Sequence, residues 1–191
     1  MSKAATKLLI AASGTGGHVF PAIAVAQKLS GYQIEWLGVP DRLESKLVPK
    51  EYPLHLIRVG GFQGKLGLGT LKTFGGLIKG IFQVRTLLKQ GGFDAVFSTG
   101  GYISAPAILA GYSLGLPVFL HESNAIPGKV TRWLSPFCTK VAVGFVATSK
   151  YLNRAKTIYL GTPCRQQFLT PQPLDLPIPA ASPLIVVVGG S

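Results

Sequence analysis

Acidic side chains are the scarcest charged class in this sequence. Seven Asp and Glu stand against nineteen Lys and Arg, which gives a formal net charge of +12. Charged residues make up only 14% of the chain, where about 25% is typical, so part of the surface is expected to be apolar. A basic excess of this size predicts an anionic partner: nucleic acid, a phosphorylated substrate or an anionic membrane face.

Cysteine and long apolar runs are also scarce. Cys138 and Cys164 form no CxxC pair and have no metal-ligand spacing, so we interpret them as free thiols and expect no metal or cofactor. No uncharged run approaches the ~20 apolar residues that span a bilayer, and no secretory leader is recognisable. We therefore expect a protein of the reducing cytoplasm that meets a membrane only at its surface.

Short apolar runs alternate with longer helical segments along the chain. Strands are predicted at 7–12, 33–38, 54–59, 95–98, 117–121, 140–143 and 157–160, and helices at 21–29, 70–90, 104–114 and 129–134. This alternation predicts an α/β fold with a doubly wound parallel sheet. In such a sheet, ligands bind at the carboxyl ends of the strands.

The first strand leads into a glycine loop that ends at His18. Gly14, Gly16 and Gly17 allow close backbone approach, and the following helix offers free N–H groups to an anion. Val19 replaces the third glycine of a dinucleotide fingerprint, although Glu35 lies near the ribose-binding position; a nicotinamide oxidoreductase is therefore a disfavoured alternative. His18 is predicted to be either a general base or a phosphate contact.

Two further loops follow strands. One contains Gly100, Gly101, Tyr102 and Ser104, and two glycine loops in one sheet predict a diphosphate, held by these residues and Gly14. The other runs from His121 to Gly128 and includes Asn124. For His121 a structural role is favoured over a catalytic one.

The stretch from Tyr52 through Phe93 contains no acidic residue. Basic and apolar side chains recur there at helical spacing, which predicts a helix lying on an anionic membrane surface. The predicted membrane contacts are Lys72, Phe74, Ile78, Lys79, Ile81 and Phe82.

An ordinary helix packed on the sheet is the alternative, and a non-catalytic basic membrane-binding module is a further one. Nucleic acid is not expected as a partner, because the glycine loops would have no role.

The composition changes after position 169. Five prolines between 170 and 183 predict a linker, and the apolar run at 184–188 with Gly189, Gly190 and Ser191 is typical of a strand entering another glycine loop. The predicted organisation is one domain at 1–169, a linker at 170–183 and the start of a second domain at 184–191, where the chain is interpreted as truncated.

The assembled motifs resemble the MurG family, the lipid-intermediate N-acetylglucosaminyltransferases of peptidoglycan synthesis. The similar segments are SGTGGHVFPAIAVAQKL, STGGYISAPAILAGYSLGLPVFLHESNAIPGKVTRWL, GTPCRQQF and VVVGGS. The resemblance implies a two-domain GT-B fold whose Rossmann-like N-terminal domain binds the acceptor.

The same resemblance implies inverting transfer of N-acetylglucosamine from UDP-N-acetylglucosamine to the C4 hydroxyl of a polyprenyl-diphosphate-linked muramoyl sugar. It implies peripheral attachment to the cytoplasmic face of the plasma membrane, and no transfer by this chain alone. The positions that match UDP-sugar contacts of the family are Thr15, Gly16, Gly17, Asn124, Arg165 and Ser191. The nearest alternative is another lipid-acceptor glycosyltransferase of the same fold, such as a diacylglycerol galactosyltransferase, whose acceptor lacks a diphosphate.

Overall fold

A computed structural model describes residues 5–48, 50–58, 68–170, 185 and 187, with only the backbone described for 68–74. The predicted linker, apart from Thr170, and Ser191 lie outside the described residues. Most of the predicted strand at 184–188 lies outside them as well.

The described residues form one parallel sheet of seven strands. The strands are β1 (Lys7–Ala12), β2 (Gln33–Gly38), β3 (Leu54–Leu56), β4 (Ala95–Gly100), β5 (Val118–Glu122), β6 (Lys140–Val143) and β7 (Thr157–Tyr159). Their order is β3-β2-β1-β4-β5-β6-β7, and every neighbouring pair is parallel. The predicted doubly wound, Rossmann-like fold class is confirmed.

Helices cover both faces of this sheet. They are α1 (Gly16–Ala26), α2 (Glu44–Leu47), α3 (Leu68–Gly91), α4 (Ser104–Ser113) and α5 (Lys129–Leu134), with 3-10 turns at Ser135–Phe137, Val146–Tyr151 and Gln166–Phe168. One apolar cluster packs α1 against β1 and β2, and includes Val19, Ile23 and Trp36. The larger cluster packs α3 and α4 against the other face. Burial on both faces explains why these strands are almost continuously apolar.

The prediction for the first helix was wrong at its N-terminus. We expected Pro21 in the first helical turn, but α1 begins at Gly16 and encloses Pro21. Gly16 and Gly17 have weak helical preference, and tertiary packing overrides it here, because Val19, Ala22 and Ile23 are buried against the sheet. The loop is consequently shorter, and His18 lies inside the first turn of α1 rather than before it.

The two cysteines are both free thiols in the structure, as predicted. Cys138 is buried, which raises the pKa of its thiol to about 12, whereas Cys164 is exposed. Among the described helices, none is both long and apolar enough to cross a bilayer.

Candidate functional site

The two glycine loops meet where the winding of the sheet reverses. β1 and β4 are neighbours, yet the chain leaves β1 for α1 on one face and leaves β4 for α4 on the other. Such a switch point opens a crevice at the carboxyl ends of the strands. A cavity of about 390 Å³ lies there, and its walls include Thr15, His18, Gly101, Glu122 and Asn124.

A hydrogen bond to the backbone fixes the tautomer of His18. Its Nδ1 lies 2.8 Å from the carbonyl oxygen of Thr99, and a carbonyl can only accept, so Nδ1 carries the proton. The Thr99 hydroxyl donates in return to the carbonyl of His18 at 2.7 Å. In the neutral ring, Nε2 is therefore the nitrogen with a free lone pair at the half-buried cavity wall.

Two glycines of the second loop permit this close approach. Gly100 and Gly101 have φ angles of +113° and +84°, which side-chain-bearing residues rarely adopt. A Cβ atom on Gly100 would lie 2.6 Å from the His18 ring, and one on Gly101 would lie 2.5 Å from the carbonyl oxygen of Ser13. Any side chain at either position would push the two loops apart.

Backbone N–H groups of both loops remain available for an anion. Among the hydrogen bonds of the described residues, none uses the N–H of Thr15, Gly16 or Gly17 at the start of α1, or of Gly101 or Tyr102 before α4. Free N–H groups at a helix N-terminus favour negative charge. Two such termini flank one cavity, which is the arrangement expected for a ligand with several anionic oxygens.

Three of the five predicted diphosphate contacts are already engaged within the protein. The N–H of Gly100 donates to the Ser98 hydroxyl at 3.4 Å. The N–H of Gly14 donates to the Glu44 carboxylate at 3.2 Å. The Ser98 hydroxyl donates to the carbonyl of Ala11 at 2.8 Å, so the hydroxyl of Ser104 must donate to Ser98 at 2.7 Å. Gly14, Gly100 and Ser104 all line the cavity, but their donor hydrogens form bonds within the protein, so none is left for an anion.

The third loop is organised by a buried carboxylate. Glu122, at the end of β5, accepts hydrogen bonds from the backbone N–H of Asn124 at 2.9 Å, from Asn124 Nδ2 at 2.7 Å and from the Thr131 hydroxyl at 2.7 Å. These bonds orient the Asn124 amide at the cavity wall, with its oxygen not used by Glu122. Next to it, His121 is buried and its Nε2 donates to the carbonyl of Gly161 at 2.9 Å. Burial lowers the pKa of His121, which is consistent with the structural role favoured from the sequence.

Replacing Glu122 by uncharged side chains is expected to show whether its hydrogen bonds or its charge contribute more to stability. Glu122→Gln should cost less than about 1 kcal/mol, because the amide oxygen can still face Asn124 and the Thr131 hydroxyl can reverse to accept. Glu122→Met has a similar shape but leaves all three donors without a partner, and should cost about 2–4 kcal/mol. Urea unfolding of this chain measures both. An equal loss in the two variants would contradict the hydrogen-bond assignment and implicate the charge.

The structure does not bring every predicted site residue to this cavity. Arg165 lies beside α1, stacked between the rings of Phe20 at 4.0 Å and Phe168 at 4.8 Å, and lines a separate cavity. Phe20 connects the two places, because a Cβ atom on Gly16 would lie 2.9 Å from its ring. The cation–π contacts hold the guanidinium against Phe20 of α1 and against Phe168. Ser191 lies outside the described residues.

The alternative of a nicotinamide oxidoreductase requires the Glu35 carboxylate to bind a ribose. In the structure this carboxylate binds other side chains. Glu35 pairs with Lys7 at 2.6 Å and with His55 at 2.5 Å. Burial opposes ionisation of this carboxyl, but the hydrogen bonds from Lys7 and His55 outweigh it and lower its pKa. Within the described part of the chain, no cluster of three or more His, Cys, Asp or Glu side chains is arranged to hold a metal ion.

The predicted membrane residues divide between two faces of α3. Ile78, Lys79 and Phe82 are exposed, with 64% of the Phe82 side chain accessible. Ile81 is instead partly buried against the core, so it contributes to packing. Lys72 and Phe74 belong to the same helix, in the part described by its backbone alone.

Sequence reasoning missed two residues that shape the site. Thr99 orients His18 through its carbonyl, a contact across 81 positions that no local pattern indicates. Glu44 begins the short helix α2 and is fully buried, although ESKL is typical of an exposed turn. A single sequence carries no signal for either contact.

Comparison with known proteins identifies the family. Residues 8–143 match the family described as glycosyltransferase family 28 N-terminal domain, and this match runs from the second residue of β1 to the end of β6 and includes both glycine loops. The chain belongs to this glycosyltransferase family. The cavity at the switch point is therefore the candidate site of a family 28 N-terminal domain.

Two relatives of this family 28 domain carry the same name. A protein from Trichodesmium erythraeum is 65% identical over 185 residues, covering 97% of this chain and 50% of the relative, and one from Nostoc punctiforme is 61% identical, covering 100% and 54%. Both are named UDP-N-acetylglucosamine–N-acetylmuramyl-(pentapeptide) pyrophosphoryl-undecaprenol N-acetylglucosamine transferase. The crystal structure of Acinetobacter baumannii MurG matches with a TM-score of 0.66 and 36% identity, covering 75% of this chain and 42% of that one. The chain spans about half the length of the curated relatives it matches.

Proposed function

We propose that this chain forms the acceptor-binding half of an inverting N-acetylglucosaminyltransferase. The donor is UDP-N-acetylglucosamine, and the acceptor is the C4 hydroxyl of the muramoyl sugar in undecaprenyl-diphosphoryl-muramoyl-pentapeptide. Family membership and the shared name of its relatives support this reaction. The single observation that carries it is the free Nε2 of His18 in a cavity flanked by two helix N-termini.

In this proposal His18 is the general base. Nε2 takes the proton from the C4 hydroxyl as the oxygen attacks the anomeric carbon of N-acetylglucosamine. The bond from that carbon to the UDP oxygen breaks, and UDP leaves with the electron pair, so one displacement inverts the configuration. The bond from Nδ1 to Thr99 holds the ring in the required tautomer throughout.

The free N–H groups are proposed to bind the phosphates. Those of Gly101 and Tyr102, before α4, suit the acceptor diphosphate. Those of Thr15, Gly16 and Gly17, at the start of α1, suit the UDP-sugar, with Arg165 close to the same loop. Backbone dipoles at helix N-termini provide positive potential without a metal ion or cofactor.

A transfer assay tests the reaction. The protein is this chain extended by the C-terminal half of the Trichodesmium erythraeum relative, and the assay follows labelled N-acetylglucosamine from its UDP donor to a short-chain polyprenyl-diphosphoryl muramoyl-pentapeptide. Formation of the disaccharide lipid is expected. A folded protein that transfers sugar to a diacylglycerol but not to this acceptor would replace the proposal with another lipid glycosyltransferase.

We also propose that the exposed face of α3 rests on the anionic cytoplasmic face of the plasma membrane. Ile78 and Phe82 provide apolar contact and Lys79 provides charge, and each basic residue near anionic lipid contributes about 1 kcal/mol. This attachment would bring the cavity to an acceptor whose lipid tail stays in the bilayer.

Phe82→Glu should lower partitioning onto vesicles of phosphatidylglycerol and phosphatidylcholine by about tenfold or more, because it removes an apolar contact and adds repulsion. Co-sedimentation at low and physiological salt measures this. Tyr159→Glu is the matched control, since Tyr159 is similarly exposed but lies on β7 at one edge of the sheet. Equal losses of vesicle binding in both variants would contradict the proposed membrane contact of α3. A parent protein that binds RNA but not the vesicles would contradict it as well.

A further inference from the structure

A fully buried carboxylate lies directly behind the first glycine loop. Glu44 is 0% exposed, and its two oxygens accept hydrogen bonds from two different segments. Oε2 accepts from the N–H of Gly14 at 3.2 Å, and Oε1 accepts from the N–H of Val39, just after β2, at 2.7 Å. The side chain therefore ties the loop after β1 to the end of the neighbouring strand.

The neighbourhood is shaped around this carboxylate. A Cβ atom on Gly38 would lie 2.6 Å from Glu44 Cγ, so glycine is required where the side chain passes β2. The ion pairs formed by the described residues both involve Glu35, so Glu44 relies on backbone N–H groups to compensate its burial. Burying a carboxylate is costly unless it is hydrogen-bonded, and such charge-assisted bonds are among the strongest in proteins.

Only a carboxylate can make both contacts at once. Both partners are backbone N–H groups, which can donate but never accept. A glutamine offers one oxygen and one NH₂ group, so one of the two N–H groups would face another donor. This distinguishes Glu44 from Glu122, where a hydroxyl among the partners can reverse.

We propose that Glu44 is a positioning residue for ligand binding by the first glycine loop, an inference that rests on the proposed function of that loop. Gly14 has a φ of +102° and immediately precedes the unused N–H groups of Thr15, Gly16 and Gly17. Clamping Gly14 sets the direction of these groups and the entry of α1, and hence the place of His18. A displacement of about 1 Å at a reacting group can cost about a hundredfold in rate.

Amide hydrogen exchange tests whether Glu44 holds Gly14 in place, and it does not require enzymatic activity. In ¹⁵N-labelled chain, Glu44→Gln should speed exchange by about tenfold or more at Gly14, whose N–H donates to Glu44, and at His18 and Val19, whose N–H groups donate to the carbonyl of Thr15. Core amides of β1 and β4 should keep their parent rates. Glu35→Gln is the matched control on β2, since its carboxylate pairs with Lys7 and His55 and not with the loop. Glu44→Asp keeps both acceptors and should restore part of the protection.

The same variants in the extended protein test whether the contact between Glu44 and Gly14 affects sugar transfer. Glu44→Gln should lower kcat/KM by about a hundredfold, and Glu35→Gln should stay within about threefold. If Glu44→Gln fails to fold, Gly38→Ala displaces the carboxylate without removing it and should give the same local exchange change. Unchanged exchange at Gly14, His18 and Val19, an equal increase throughout the core, or unchanged transfer would each overturn the inference. If the parent transfers no sugar, the proposed function fails, and exchange alone decides whether Glu44 holds the loop.

Discussion

His18→Asn is expected to reduce sugar transfer by about a hundredfold to ten-thousandfold while leaving the fold intact. The asparagine Nδ2 can occupy the place of the imidazole Nδ1 and donate to the carbonyl of Thr99, which accepts at 2.8 Å from His18. The variant has no group at the position of Nε2, so the attacking hydroxyl loses its proton acceptor. The substitution removes the proton acceptor and keeps the hydrogen bond to the carbonyl of Thr99.

Steady-state kinetics of the extended protein measure this effect and distinguish the two roles left open by the sequence. Loss of a general base lowers kcat with little change in the KM for the acceptor, whereas loss of a phosphate contact raises KM. His18→Gln is the matched comparison, because it places a polar group near Nε2 and loses the bond to Thr99. A variant His18→Asn with parent kcat would exclude His18 as the base.

Gly101→Ala is expected to lower the free energy of unfolding by about 2–5 kcal/mol. The left-handed backbone at φ +84° costs a side-chain-bearing residue about 1–2 kcal/mol. The new methyl group would lie 2.5 Å from the Ser13 carbonyl oxygen, and overpacking of this kind costs about 1–3 kcal/mol more. The Ser13 carbonyl is backbone, so it cannot move aside as a side chain can.

Gly31→Ala isolates the conformational part of this cost. Gly31 has nearly the same φ, +83°, and nothing lies within 4 Å of its Cβ position. The difference between the two variants in urea unfolding is the cost of forcing the glycine loops apart. If Gly101→Ala is no less stable than Gly31→Ala, the loops are not held in the contact described here.

The hydrogen bonds of His18 and Glu44 explain why the geometry of the two glycine loops depends on the folded sheet. Each loop donates or accepts across long sequence distances: Thr99 is 81 positions from His18, and Glu44 is 30 positions from Gly14. The glycines make the approach possible, and the side chains behind them determine which N–H groups are left for a ligand. For this reason Gly16, Gly17 and Gly101 keep available N–H groups, whereas that of Gly14 is used by Glu44.

The sequence by itself determined the number of strands, most helix limits to within two residues, and the position of the glycine loops. The third strand was predicted at 54–59, but β3 ends at Leu56. Lys7–Ala12 and Lys140–Val143 were predicted to the residue, because apolar runs and glycine breaks are local properties of the chain. Tertiary structure alone decided the tautomer of His18, the engagement of Ser104, the burial of Glu44 and the stacking of Arg165 on Phe20. Each of these depends on the partner, either a backbone group or a side chain, that the fold places against the residue. That partner exists only once the parallel strands have brought their carboxyl ends to one edge.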